Sequence, residues 1–308
     1  MRVFVAGATG AVGRRLLPML REAGHEVTGT TRKEDSASLV RDLGAEPMIV
    51  DMFDADAVMQ AVTQARPEVV IHQLTSIPQA MNPKHIVEQF ETNNRLRREG
   101  TRNLTEAAKA AGARRIVAQS FGQAYAPGPD GLRVETDPLA VERGDIVRAI
   151  TDLEQTVTQT DGIEGLALRY GFFYGPGSSY AADGAQADAL RKRRFPIVGK
   201  GGGVHSFIHV DDAAAAAVRA MDQGSPGIYN VADDDPARVA DWLPYLAEAL
   251  DAPKPRTVPA FIAKWFGGEY GVDFMTRGQG ISNEKAKREL ALGLRYPSWR
   301  QGFREALG

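Results

Sequence analysis

What most narrows the fold of this chain is an alternation of short apolar runs with amphipathic stretches, begun by a strand that breaks straight into glycine. RVFVA (Arg2–Ala6) runs into GATGAVG and then into RRLLPMLREAG, an amphipathic helix closed by Gly24. HEVTGTTR reads as a second strand, SASLVRDLGA as a short helix and EPMIVD as a third strand. Asp54 caps the helix ADAVMQAVTQA, and EVVIHQL is strand four. Asn82-Pro83 opens a long helix to about Ala111, stopped by Gly112. RRIVAQS is strand five, a second long helix covers about Arg143–Thr160, and EGLALRY is strand six. Apolar strands alternating with helices predict a parallel sheet covered on both faces, and right-handed crossovers make it a doubly wound, Rossmann-type α/β fold.

The pattern changes after Tyr170. GFFYGPGSSYAADGA reads as loop, and FPIVGKGGGVHSFIHVDDAAAAAVRAM as a glycine turn, a short strand and a helix capped by Asp211. GIYNVADD is a further strand, and the remainder from Trp242 is mostly helical. The expected organisation is a dinucleotide-binding domain of residues 1–171 with 205–226, interleaved with a smaller substrate lobe of residues 172–204 with 227–308.

Composition limits the partners. A net charge of −2 over 308 residues points away from nucleic acid, and the one dense basic run, Arg191–Arg194, reads as a solvated helix end or an anionic-substrate contact. The chain has no cysteine, which excludes disulfides and thiolate chemistry and suits a reducing cytoplasm. MRVFVAG is too short and too soon broken for a signal peptide, and no apolar stretch reaches the ~18–20 residues that span a bilayer, so no membrane partner is expected. The spacing of His, Asp and Glu offers no metal site.

The glycine loop carries the first functional signal. Gly7, Gly10 and Gly13 recur at spacing three between a strand and a helix. Such glycines permit a tight turn and close approach of a pyrophosphate to the helix N-terminus. Strand two ends on Thr30-Thr31-Arg32-Lys33, with no acid before Glu34 to hold a ribose 2′-hydroxyl. A guanidinium can pair with a 2′-phosphate, so NADP is expected over NAD, with Arg32 as a plain surface residue the competing reading. Asp51, closing strand three, can reach an adenine amino group or serve as a helix cap.

GxxGxxG, VVIHQL, GTRNLTEAAKAAGARRIVAQS, LRYGFFYGPG and FIHVDDAA together resemble the extended short-chain dehydrogenase/reductase superfamily, in its NAD-dependent epimerase/dehydratase group. The resemblance runs over nearly the whole chain. It implies a parallel sheet of about seven strands, a cofactor across its C-terminal edge and a small lobe over the substrate. Gly7, Gly10, Ala11, Val12, Thr31, Arg32, Asp51 and Leu74 then fall on cofactor-lining positions, with Thr9, Gly13 and Met52 beside them. Ser120 maps onto or beside the catalytic serine, and the two long helices imply a homodimer interface.

One expected feature is missing. Such enzymes move protons with Tyr-x-x-x-Lys on the second long helix, usually followed by a glutamate four residues after the lysine. Counting back from Glu154 puts Ile150 at the lysine and Ile146 at the tyrosine, and no Tyr-x-x-x-Lys occurs anywhere in the chain. The asparagine expected in RYxN is replaced, the run being Arg169-Tyr170-Gly171-Phe172, and His205 with Ser206 stands where the sugar-nucleotide branch keeps arginine. A sugar-nucleotide epimerase is therefore disfavoured. Phe172, Phe173, Tyr174 and Tyr180, with His205 at the edge, are a candidate pocket for a smaller, less polar substrate, or simply core. His72 reads as a hydrogen-bonded structural histidine, and His209 as packing beside Asp211.

Two functions remain open. One is an NADP(H)-dependent oxidoreductase acting on a small, fairly apolar carbonyl or conjugated compound, with Ser120 polarising the substrate oxygen and Tyr125 or water delivering the proton. The other is a nonenzymatic NADP(H)-binding sensor or partner-binding module, motivated by two isoleucines that cannot move protons.

Overall fold

The computed structural model describes residues 1–78, 85–128 and 131–307. In chain order its first half comprises β1 (Arg2–Ala6), α1 (Gly13–Glu22), β2 (Glu26–Thr31), α2 (Ala37–Asp42), β3 (Glu46–Ile49), α3 (Ala55–Ala65), β4 (Val69–His72), α4 (Ile86–Gln89), α5 (Glu91–Arg95), α6 (Thr101–Ala110), β5 (Arg115–Phe121) and α7 (Asp145–Gln159). Then follow β6 (Glu164–Tyr170), β7 (Phe172–Tyr174), α8 (Ala185–Arg191), β8 (Ile197–Val198), β9 (Val204–His205), β10 (Phe207–His209), α9 (Val210–Arg219) and β11 (Gly227–Val231). The last elements are β12 (Ala237–Arg238), α10 (Val239–Ala249), β13 (Thr257–Val258), α11 (Ala260–Arg277, broken at Gly268), α12 (Glu284–Glu289) and α13 (Trp299–Leu307).

Seven strands form one parallel sheet in the order β11-β6-β5-β4-β1-β2-β3. Side chains alternate along each strand, so the two faces gather different residues. Val3 and Val5 of β1 pack with Leu16, Leu17 and Leu20 of α1 and the alanines of α9. Phe4 and Ala6 point the other way, to Val58 and Val62 of α3, Leu104 of α6, and Leu153 and Val157 of α7. Both faces are buried, which is why the strands are continuously apolar. The strand order reverses between β1 and β4, and the crevice outside their carboxyl ends is where such a sheet binds ligands.

Four expectations need correction. GIYNV is β11, the edge strand of the main sheet paired with β6, so residues 227–231 do not belong to the smaller lobe. Residues 172–174 are strand β7, paired with β10, rather than loop. The N-cap of α9 is His209, whose ring accepts from the Asp211 backbone N–H, and Asp211 lies in the first turn. The first long helix is discontinuous, with a break at Phe90 and a π-helical turn over Leu96–Gly100, and the expected start at Asn82-Pro83 lies outside the described residues. The caps Asp54, Gly24 and Gly112 stand where expected. A second core, around Tyr174, Phe207, Trp242, Trp299 and Phe303, holds the smaller lobe together.

Candidate functional site

The glycine loop leaves β1 at the switch point. Gly7 has φ +94°, and a Cβ there would sit 2.7 Å from the Gln73 carbonyl oxygen. A Cβ on Gly13 would come within 2.3 Å of the Gly7 oxygen, so both glycines are required by the protein's own packing. At Gly10 a Cβ would meet only the Gly7 oxygen, at 3.5 Å, so the backbone there stays bare toward the space above the helix. Val12 is the buried N-cap residue of α1, and the first turn of that helix carries no acid. Thr9 accepts the Arg14 Nε proton on its carbonyl, and Ala11 lies under Gly177 of the loop after β7. Backbone N–H groups and a positive helix end in a bare cradle fit a pyrophosphate.

Beside the loop lies a small pocket. Arg32, Asp51, Met52 and Leu74, all expected from sequence, line it together with Phe53 and Leu96. Arg32 is exposed, Met52 buried and Asp51 exposed, its carboxylate accepting the Phe53 N–H at 3.0 Å. Thr31 is buried, its hydroxyl accepting from the Lys33 backbone, so it shapes the turn that presents Arg32. Leu96 was not legible: it reaches the pocket from the π-helical turn, beside Met52, and no residue pattern announces that turn.

Ser120 and Tyr125 are brought together, but not as an acid and an electrophile facing a ligand. Ser120 Oγ donates to Glu154 Oε1 at 2.6 Å. Arg169 grips both oxygens of that carboxylate, at 2.7 and 2.6 Å, and donates to the Tyr125 hydroxyl at 2.7 Å. The Tyr125 hydroxyl donates in turn to Asn230 Oδ1 at 2.7 Å. Every member is nearly inaccessible: Ser120 3%, Tyr125 1%, Glu154 3%, Arg169 4% and Asn230 0% exposed. Burial pushes the Tyr125 phenol up to about 12, against the opposing pull of Arg169. A phenol with both hydrogen-bonding roles filled is not poised to protonate a substrate, which goes against Tyr125 as the proton donor. Glu154, Arg169 and Asn230 were missed as a network. The available signal was a charged residue inside an otherwise apolar parallel strand, EGLALRY, since a buried charge needs a partner.

Ile146 and Ile150 lie on α7 and pack with Ile86, Phe90, Ala124 and Val147, against Phe121. The aromatic run divides by strand alternation. Phe172 faces a cluster of rings, 5.4 Å from Phe121, 5.1 Å from His205 and 5.4 Å from Phe274. Tyr174 points the same way but is wholly buried in the lobe core with Phe207 and Phe303. Phe173 points oppositely, onto Tyr170 at 5.2 Å and the main core, so it does not line the same pocket. Tyr180 is buried beneath Phe172.

Burial disfavours the charged form of His72 and His205. His72 Nδ1 accepts the Leu74 N–H and its Nε2 bonds Thr101 Oγ1, with burial pulling its pKa down to about 4. His205 donates from Nε2 to the Phe274 carbonyl at 2.8 Å and is likewise held down to about 4 by burial.

A glycine cradle at the switch point of a doubly wound parallel sheet defines a dinucleotide-binding α/β protein. The chain belongs to the NAD dependent epimerase/dehydratase family, whose sequence model matches residues 3–232. It is 43% identical to a Streptomyces 3-diazoavenalumate denitrifying reductase, over 98% of this chain and 99% of that protein. It is 29% identical to a ketoreductase of Stigmatella aurantiaca that acts on a farnesylated dihydroquinoline oxide, over 80% of this chain and 73% of that one. Its fold matches the UDP-glucose 4-epimerase of Thermotoga maritima with a TM-score of 0.79 at 19% identity, covering 99% and 97% of the two chains. A human epimerase family protein with NADPH gives 0.78 at 19% identity, covering 99% of each. With reductases among its relatives, the chain is an NAD(P)-dependent oxidoreductase-like protein. Among the described residues, no helix is long and apolar enough to cross a membrane.

Proposed function

We propose that this protein is an NADP(H)-dependent reductase that replaces the dinitrogen of a diazo-bearing aromatic acid, taken in its diazonium form, by hydrogen. The observation that carries the reading is that, among the described residues, the positions expected to supply a proton donor leave none free. Ser120 and Tyr125 are committed to the Glu154–Arg169 network, and Ile146 and Ile150 fill the helix face beneath Phe121. Carbonyl reduction leaves an alkoxide that needs a proton, and a positioned donor typically contributes ~10²–10⁴-fold. A diazonium carbon behaves differently: when it takes up hydride, the C–N bond breaks, its electron pair leaves with dinitrogen, and no oxyanion forms. An apolar floor suits that reaction, and the 43% identical relative is named for reductive removal of nitrogen from a diazo compound.

Gly7, Gly10 and the N-terminus of α1 would hold the pyrophosphate of NADP, Asp51, Met52 and Leu74 the adenosine, and Arg32 the 2′-phosphate. Bound there, the nicotinamide supplies the hydride. The side chains of this chain position the substrate carbon and exclude water from a reactive diazonium group.

The test supplies purified protein with NADPH and a panel of diazo acids, ketones and enones. One NADPH consumed per dinitrogen released, above the enzyme-free rate, is the expected result. Turnover of ketones with no dinitrogen from any diazo acid would overturn it, and binding of NADPH without turnover of any substrate would favour the sensor reading. For the cofactor, Arg32→Ala is expected to lower kcat/KM for NADPH at least about tenfold and leave NADH unchanged. A wild-type preference for NADH would remove the NADP assignment.

A further inference from the structure

We infer that the partly exposed rings of Phe121, Phe172 and Phe274 form a slot for a flat aromatic substrate, and that His205 Nδ1 selects ligands whose ring carries a hydroxyl donor. The inference rests on the reading that this edge of the sheet is the substrate side of a reductase. Phe121 ends β5 beside the cofactor crevice, and Phe172 begins β7. Phe274 comes from α11 in the small lobe, so one slot draws on both halves of the molecule. The Phe172 ring stands edge-on to Phe121 at 71° and to Phe274 at 72°. All three keep part of their surface accessible, whereas Tyr180 and Phe207 behind Phe172 are buried. Edge-to-face walls of this kind leave π faces and edges for one more ring, an attraction beyond simple burial.

His205 packs against two of these rings, 5.1 Å from Phe172 and 4.4 Å from Phe274, and lies 5.5 Å from Trp242 between ring centroids. Its Nε2 proton is spent on the Phe274 carbonyl, which fixes the tautomer. Nδ1 is then a lone-pair acceptor, and it has no partner among the described residues although the side chain is 1% exposed. A buried polar atom left unmatched is destabilising, and a ligand hydroxyl relieves it. Lys or Arg at this position would favour anions; a neutral imidazole acceptor favours an O–H.

The test is calorimetric binding to NADP⁺-loaded protein of three probes: 4-hydroxyacetophenone, acetophenone and cyclohexyl methyl ketone. Acetophenone is expected to bind more tightly than the cyclohexyl ketone, and the hydroxyl to add about tenfold. His205→Phe should bring 4-hydroxyacetophenone to the level of acetophenone. Phe172→Leu should weaken both aromatic probes and leave their ratio unchanged. Equal binding of acetophenone and 4-hydroxyacetophenone by the unmodified protein overturns the role of His205 without recourse to any variant. So does a hydroxyl preference that survives in His205→Phe. Equal binding of the cyclohexyl and phenyl ketones, or no binding of any probe, overturns the slot. Failure of diazo turnover with the hydroxyl preference intact would instead count against the proposed reaction alone.

Discussion

Gly10 and Gly13 are interchangeable to the eye in GATGAVG, yet the structure gives them different work. A methyl group at Gly13 would collide with the backbone oxygens of Gly7 and Ala8, at 2.3 and 2.7 Å, and backbone yields little. Gly13→Ala is expected to destabilise the fold by ~1–3 kcal/mol, read as a lowered denaturation midpoint. Gly10→Ala has room, so its midpoint should stay put while dinucleotide affinity falls several-fold in a titration. Unchanged affinity would mean that no ligand backbone approaches there. This loop was legible in the sequence because its requirements are local: a strand, a turn and a helix within a dozen residues. Tyr125 was not, because its hydroxyl is consumed by Asn230, 105 positions away. A loop tyrosine that faces a cleft and one that closes a buried network have the same neighbours in sequence.

At the scale of the element, α7 shows how far a periodic pattern carries. Ile146, Ile150, Leu153 and Val157 recur at helical spacing, and the helix forms where they predict it. Periodicity does not say what the stripe meets, nor that Glu154 within it faces Arg169 of β6. That ion pair, closed by two hydrogen bonds and shielded from water, cannot be weighed as a surface salt bridge. Glu154→Leu alone strands a buried guanidinium and is expected to cost ~3–5 kcal/mol in chemical denaturation. Adding Arg169→Met should recover a large part of that loss, because two apolar groups leave no unpaired charge. Ser120→Ala removes one hydrogen bond and should cost less than Glu154→Leu. If Ser120→Ala abolishes turnover at unchanged stability, Ser120 has a chemical role that its bond to Glu154 does not suggest. The first long helix was read less well. Its π-helical turn shifts the register at Leu96, where a Cβ on Gly100 would lie 2.8 Å from Leu96 Cδ1.

For the whole molecule, the alternation of strands and helices sufficed for the parallel sheet, since crossovers between parallel strands are of one hand. The return of β11 to the sheet edge was hidden, because a five-residue apolar run does not declare which partner it will pair with. Assembly of two cores around the crevice also buries ionisable groups, and this has a consequence for stability. His72 and His205 have pKa values near 4 in the native protein against an ordinary 6.5, because burial penalises the imidazolium. Below pH 6.5 the unfolded chain takes up protons that the native one refuses, so their contribution is present above 6.5 and is lost as the pH falls toward 4. Asp233 acts in the opposite sense: burial raises its pKa, so the native carboxyl keeps a proton that the unfolded chain releases. The net curve mixes both signs, and a difference between variants isolates one group. His205→Phe keeps a ring between Phe172 and Trp242 and removes the titration. It is expected to flatten the fall of stability below pH 6.5 by about 1.4 kcal/mol per pH unit, measured by urea denaturation at stepped pH. A slope identical to that of the unmodified protein would show that His205 takes up its proton as readily in the native protein as in the unfolded chain, so that below pH 6.5 its Nδ1 would be a donor rather than an acceptor.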